Sequence, residues 1–231
     1  MAVITITIGD IDVDVQFKPI KNLHLSVHPP LGNVTVSSPD FYELEKVKIY
    51  LATKLGWIKR EQKKFLNQAR EGEKLYITKE SHSFFGKRYF LKVIEANQPK
   101  IICKGNVIEL YAKKEATIEQ KRNTLYNWYR KQLHLKITAL LEKHAQRMQL
   151  EVPEYKIYKM KTKWGSCSTD SKRLLFNIEL VKKPNDCIEY IVIHELVHLI
   201  ERRHNKNFII LMDKYLPNWK VQKKLLNELP L

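Results

Sequence analysis

Acidic side chains are in short supply. The 231 residues include 25 Asp and Glu against 41 Lys and Arg, a formal charge of +16. The excess is spread along the chain, as in 59-KREQKK-64 and 220-KVQKK-224, and forms no single basic arm. Such a balance admits nucleic acid or another acidic partner. Lysines that only coat solvated helix faces give the same total, so charge alone names no function. Glycine is scarce at seven residues and no biased tract occurs, which argues against fibrous and disordered classes. Cysteine is limited to Cys103, Cys167 and Cys187, an odd and scattered set that argues against a disulfide framework and fits a reducing, cytoplasmic setting. No apolar run is long enough to span a bilayer, so no membrane partner is expected. The N-terminal MAVITITIGDIDVDV alternates and lacks a basic leader, so it reads as a strand pair and not as a signal peptide.

What is present suits one large domain or two small ones. Residues 3–17 alternate about Gly9-Asp10, a hairpin signal. Leu23, Leu25 and Val27 alternate next, and Pro29-Pro30-Leu31-Gly32-Asn33 breaks the run before Val34 and Val36. Asp40 is a cap for a helix over 41–68. Strands are expected over 74–78, 85–95, 100–104 and 107–112. From Thr117 a helical period takes over through 118–148, with Leu125, Trp128, Leu133, Ile137, Leu140 and Leu141 near one stripe. Strands over 155–159 and 173–180 follow, then a helix opened near Pro184 that runs to about Arg202. No internal repeat is evident. The fold class is α+β: a β-rich N-terminal region with a helical insertion (1–115), a long connecting helix at the boundary, and a C-terminal domain (116–231).

The C-terminal region holds His194-Glu195-Leu196-Val197-His198, an HExxH segment inside the apolar run 188-IEYIVIHELVHLI-200. Residues four apart on a helix lie one above the other, so His194 and His198 can bring two imidazole nitrogens onto one ion. Glu195 is offset by about 100° and flanks the ion without having to ligate it. A carboxylate there can take a proton from an activated water. Chance would produce this pattern in roughly one chain in a hundred of this length, and a buried helix rarely carries two histidines and a glutamate unless they are paired or coordinate a metal. The pattern predicts a zinc hydrolase with one Zn2+ per chain and a peptide or protein as substrate.

A catalytic zinc usually has a third protein ligand. His204 reaches the ion only if the helix ends near 201–203 and the chain turns back, with Asn205 as an acceptable left-handed residue beyond. Glu201 keeps to the same helical face as the histidines, where a tetrahedron closed from one straight helix would be strained, so it better suits an acceptor that orients His198 or a surface partner for Arg202 or Arg203. His204 is the favoured ligand. His24, His28, His82, His134 and His144 are scattered and read as non-ligands. In 161-KTKWGSCS-168, the residues Lys163, Trp164, Gly165, Ser166 and Cys167 offer a substrate-facing turn or edge strand, or else a packed turn with Trp164 in the core. Lys163 and Ser166 are the candidates for holding an oxyanion, and a nucleophilic Cys167 lacks a free base.

With 21-KNLHLSVHPPLGNVTVSSP-39, Trp57-Ile58, 163-KWGSCS-168, Asn177, 189-EYIVIHELVHL-199 and 204-HNKNF-208 in view, the chain resembles the YgjP/WrpA-like zinc metallopeptidases, relatives of the SprT-like domains. The resemblance implies a small zincin-type catalytic domain, three ligands at His194, His198 and His204, and Glu195 as general base. That segment of the family usually has Arg before the Trp, and Lys163 keeps the charge without a bidentate contact. A different class, a basic nucleic-acid-associated protein with a structural metal or a peptidase recruited to DNA, is the alternative that the charge keeps open.

Overall fold

The computed structural model describes residues 3–28, 32–67, 74–161 and 163–229. The chain divides into two compact units between residues 70 and 71, well before the expected boundary at 115/116. No helix among the described residues is long and apolar enough to cross a membrane.

The first unit is a sheet and a helix. Strands β1 (Val3–Ile8), β2 (Ile11–Lys18), β3 (His24–His28) and β4 (Asn33–Pro39) lie in the order β1-β2-β4-β3, with β2 and β4 parallel and the other pairs antiparallel. Alternation puts Val13, Val15, Val34 and Val36 on one face, where they are buried with Val47, Leu51 and Ile58 of α1 (Leu44–Asn67). The helix starts later than Asp40 predicts, because Tyr42 N–H donates to the Pro39 carbonyl and the chain turns before it coils. Pro29, Pro30 and Leu31, expected to break the strand run, and Gln68 lie outside the described residues.

The second unit begins with another four-stranded sheet: β5 (Ser81–Phe84), β6 (Lys87–Glu95), β7 (Lys100–Lys104) and β8 (Val107–Ala112), in the order β5-β6-β8-β7. Its pairings are antiparallel, parallel and antiparallel, and a helix follows, so the first unit's topology recurs. Positive-φ glycines stand at the same turns, Gly9 and Gly86 in the first hairpin, Gly32 and Gly105 before the last strand. No repeat is evident in the sequence because little else survives beyond Gly-Asn-Val at 32–34 and 105–107. The expected strand over 74–78 is absent. The Leu75 and Tyr76 amides donate to the Glu80 carboxylate instead of to a ladder, and Tyr76 has φ +54. Phe85 and Gly86, expected within a strand, form the hairpin turn.

Helix α2 (Ile118–Met148) is opened by a capping box in which Thr117 and Gln120 exchange side-chain and backbone hydrogen bonds. It is no connector between domains. Its stripe of Leu125, Tyr129, Leu133, Ile137 and Leu141 shares one core with Leu91, Ile108 and Leu110 of the sheet and with the helix that carries HExxH. Strands β9 (Glu154–Tyr158), β10 (Gly165–Ser168) and β11 (Arg173–Asn177) form a third sheet in the order β10-β11-β9. The expected strand over 173–180 stops at Asn177, whose side chain caps a 3-10 turn over Ile178–Lys182. Helices α3 (Asn185–Val197), α4 (Lys206–Tyr215) and α5 (Trp219–Glu228) complete the unit.

Candidate metal centre

Helix α3 is apolar nearly all round, which places it inside the core. Cys187, Ile188, Val192, Ile193, Leu196 and Val197 are buried. Pro184 precedes its first turn and accepts from the Cys187 and Ile188 amides. The helix carries His194 and Glu195 and ends at Val197, earlier than the expected 201–203, with His198 as the C-cap. The Leu199, Ile200 and Glu201 amides close tight turns onto Leu196 and Val197, so the chain leaves the helix axis. Asn205 then caps α4, its side chain accepting from the Phe208 amide at 3.0 Å. It does so with extended backbone, φ −92 and ψ −169, and not in the left-handed conformation expected of it.

This reversal brings His204 back to the other two histidines. His204 Nε2 lies 3.1 Å from His194 Nε2 and 3.1 Å from His198 Nε2. One ligand atom from each of the three falls within 4.8 Å of the others, the one such group among the described residues. Phe208, at 2% exposure, meets all three rings, with centroids 5.0 Å from His194, 4.8 Å from His198 and 4.6 Å from His204. The sequence signal for Phe208 is its place three residues after Asn205, the spacing of a cap to the first turn.

The protonation states suit a metal. Burial, then the neighbouring His198 and His204, push His194 down to about 3. Burial also lowers His198, against the pull of its bond to the Glu201 backbone. Both rings are therefore neutral near pH 7 and offer lone pairs. His198 Nδ1 lies 3.1 Å from the Glu201 carbonyl and as donor leaves Nε2 as the acceptor. Glu201 thus orients His198, but through its backbone, while its carboxylate accepts from the Arg203 amide at 3.1 Å. His194 Nδ1 is buried without a hydrogen-bond partner among the described residues. Its ring is positioned by packing against Tyr190 and Phe208.

Glu195 is 4% exposed, and burial raises its carboxyl to about 8 against an opposing pull from Lys163. The carboxylate lies under β10. A Cβ built on Gly165 would stand 2.5 Å from Glu195 Oε1, 2.9 Å from Cγ and 3.0 Å from Cδ. Gly165 is therefore the residue that lets Glu195 fit. The segment before it is pinned by Asn177, whose Nδ2 donates to the Met160 and Lys163 carbonyls and whose amide donates to the Trp164 carbonyl. Lys163 is exposed, whereas Trp164, Gly165, Ser166 and Cys167 are half-buried. Trp164 packs against the core and has Lys183 Nζ 5.0 Å from its ring centre. Burial, then the Glu195 charge, push the Cys167 thiol up to about 11, so it is no nucleophile near neutral pH. Strand β10 is an edge of its sheet, and β11 is central.

Three histidines and a carboxylate gathered on one helix and its return loop can hold a divalent cation beside a proton acceptor. Solved structures of two metallopeptidase zymogens, abylysin from Pyrococcus abyssi and jannalysin from Methanocaldococcus jannaschii, match at 21% and 22% identity. Each match covers 39% of this chain and 90% or 92% of the other, with TM-scores of 0.37 and 0.36, too low to carry chemistry across. No curated protein matches. The profile of the YgjP-like metallopeptidase domain matches residues 21–229, and the chain belongs to that family.

Proposed function

We propose that the chain hydrolyses peptide bonds with one zinc ion held by His194, His198 and His204 and with Glu195 as general base. The observation that carries this reading is the convergence of the three Nε2 atoms, two pairs of them 3.1 Å apart, beside a buried carboxylate. Nitrogens at 2.0–2.1 Å from a tetrahedral zinc lie about 3.3–3.4 Å from one another, so the donor set fits the ion. Bound there, zinc supplies Lewis acidity, which makes water a nucleophile near neutral pH and polarises a carbonyl.

The protein's own part is proton handling and positioning. Glu195 takes a proton from the attacking water onto a carboxylate that burial makes a stronger base than an exposed one. It then returns that proton to the departing amine. Gly165 leaves the space in which this carboxyl sits. Lys163 at the surface and Ser166 in β10 are the donors proposed for the developing oxyanion. The open edge of β10 is the proposed seat for an extended substrate.

A peptide-cleavage assay tests this. Chelation should stop cleavage, zinc should restore it, and Glu195→Gln should bind zinc yet lose about 100-fold or more in rate. Full cleavage by the Gln variant would overturn the reading.

A further inference from the structure

The first unit contains a groove of about 710 Å³ along the outer edge of β3. Residues 23–26 line one wall. Successive strand residues point to opposite faces, so three consecutive residues of β3, 24–26, on one wall mean that the wall is the strand's edge and not one of its faces. Strand β3 has a single strand neighbour, β4, and its sequence HLSVH contains neither the proline nor the lysine that commonly protects an edge. Among the described residues no strand pairs with its outer side, whose backbone donors and acceptors are open to another chain.

The opposite wall is α1, through Tyr50, Lys54, Trp57 and Arg60. At 100° per residue these occupy an arc of about 120°, one continuous face. Trp57 is 37% exposed. Lys48 and Lys59 of the same helix are paired with Glu45 and Asp10, whereas Lys54 and Arg60 have no carboxylate partner among the described residues. No acidic residue lines the groove among the described residues.

We infer that this groove docks an extended, acidic peptide segment, which adds to the sheet beside β3 and places carboxylates at Lys54 and Arg60. An edge strand faced by a helix is the arrangement in which main-chain hydrogen bonds give affinity and the helix side chains give selectivity. Five residues of β3 offer about 17 Å of pairing length. The stacked bases of a single-stranded nucleic acid would find Trp57 and Tyr50, but alternating amide donors and carbonyl acceptors match a polypeptide backbone and not a phosphodiester.

The test uses the full chain and a fluorescein-labelled peptide of alternating threonine and glutamate, read by anisotropy. The comparison probes are the same peptide N-methylated at every amide, a threonine–glutamine peptide and an oligothymidylate. The acidic peptide should bind at least about tenfold more tightly than any of these and should slow hydrogen exchange of the β3 amides. Lys54→Glu with Arg60→Glu should weaken it by about tenfold or more, with circular dichroism and peptide cleavage unchanged. Equal binding of the N-methylated peptide, indifference to the charge reversal, protection that falls outside β3, or displacement by oligothymidylate would each overturn the inference. It does not rest on the histidine site. The Glu195→Gln chain should bind the probe as the unaltered chain does, so a failure of docking and a failure of catalysis are read separately.

Discussion

Glu195 and Gly165 are one fitting. A carboxylate within 2.5 Å of where a Cβ would stand leaves no room for alanine at 165 unless strand or side chain moves. Gly165→Ala should therefore displace that carboxylate and lower turnover by about 10- to 100-fold while zinc content, read by metal analysis, stays unchanged. Normal turnover in this variant would show that Glu195 is free to sit elsewhere. The same carboxyl gives a pH-linked prediction. Its ordinary value is 4.5, and burial raises it to about 8 in the metal-free fold, so at pH near 7 the folded chain holds a proton that a nearby cation would expel. His194 and His198 are lowered and have none to give up. Zinc binding near pH 7 should then release about one proton, measured by calorimetry in buffers of different ionisation enthalpy, and most of that release should vanish in Glu195→Gln. Unchanged release in the variant would place the proton on another group. Phe208 matters in a different way, since it supports all three rings. Phe208→Leu should keep the fold and weaken zinc affinity by about tenfold, as loss of support around ligands commonly does.

At the scale of elements, α3 is held against α2 by a polar clamp as well as by its apolar face. Glu189 Oε1 lies 2.6 Å from His144 Nε2 and 2.9 Å from Lys143 Nζ, and Arg147 Nη1 lies 3.2 Å from His144 Nδ1. Burial lowers His144 despite the carboxylate beside it. Burial pulls Glu189 upward, but the bonds from Lys143 and His144 outweigh that and leave it lowered. The consistent state is a neutral His144 that donates from Nε2 and accepts at Nδ1. Since the folded His144 value lies below 6.5, the unfolded chain binds the extra proton first, and stability falls as pH drops below about 6.5. Glu189 adds a further loss below about 4.5. Denaturant unfolding near pH 7.5 and pH 5 should show a larger drop for the unaltered chain than for His144→Gln, and equal drops would contradict the clamp. The sequence made α2 legible from Thr117 to Met148, because helical periodicity is local. It did not make the end of α3 legible. No glycine or proline follows HELVHLI, and the stop comes from tight turns onto Leu196 and Val197 and from the bonds that Glu201 makes to His198 and Arg203. Strand β10 was only one of two alternatives for its segment, since four residues beside a turn become a strand through pairing with β11.

For the molecule as a whole, the sheet of β5–β8 belongs with the metal centre. Leu91, Ile108 and Leu110 are at most 1% exposed and share a core with α2 and α3. Burying each is worth roughly 1.5–3 kcal/mol, and a typical domain's whole stability is only about 5–15 kcal/mol. A fragment that begins at Lys74 should accordingly fold cooperatively and bind zinc, whereas one that begins at residue 116 should not; two-state unfolding of the shorter fragment would contradict this. The boundary and the recurring topology were hidden for the same reason: strand order depends on pairings between distant segments, and the two sheets share turn glycines and alternation but few residues. The HExxH pair was legible because it depends only on helical spacing, and His204 was reached by asking what chain reversal a third ligand requires. Zinc content per chain is the most direct test of that centre, measured on protein purified without chelator for the unaltered chain, His204→Ala and Glu195→Gln. The expected result is one zinc per chain, a marked loss in His204→Ala and full retention in Glu195→Gln. An unaltered chain that holds no tightly bound metal would contradict it.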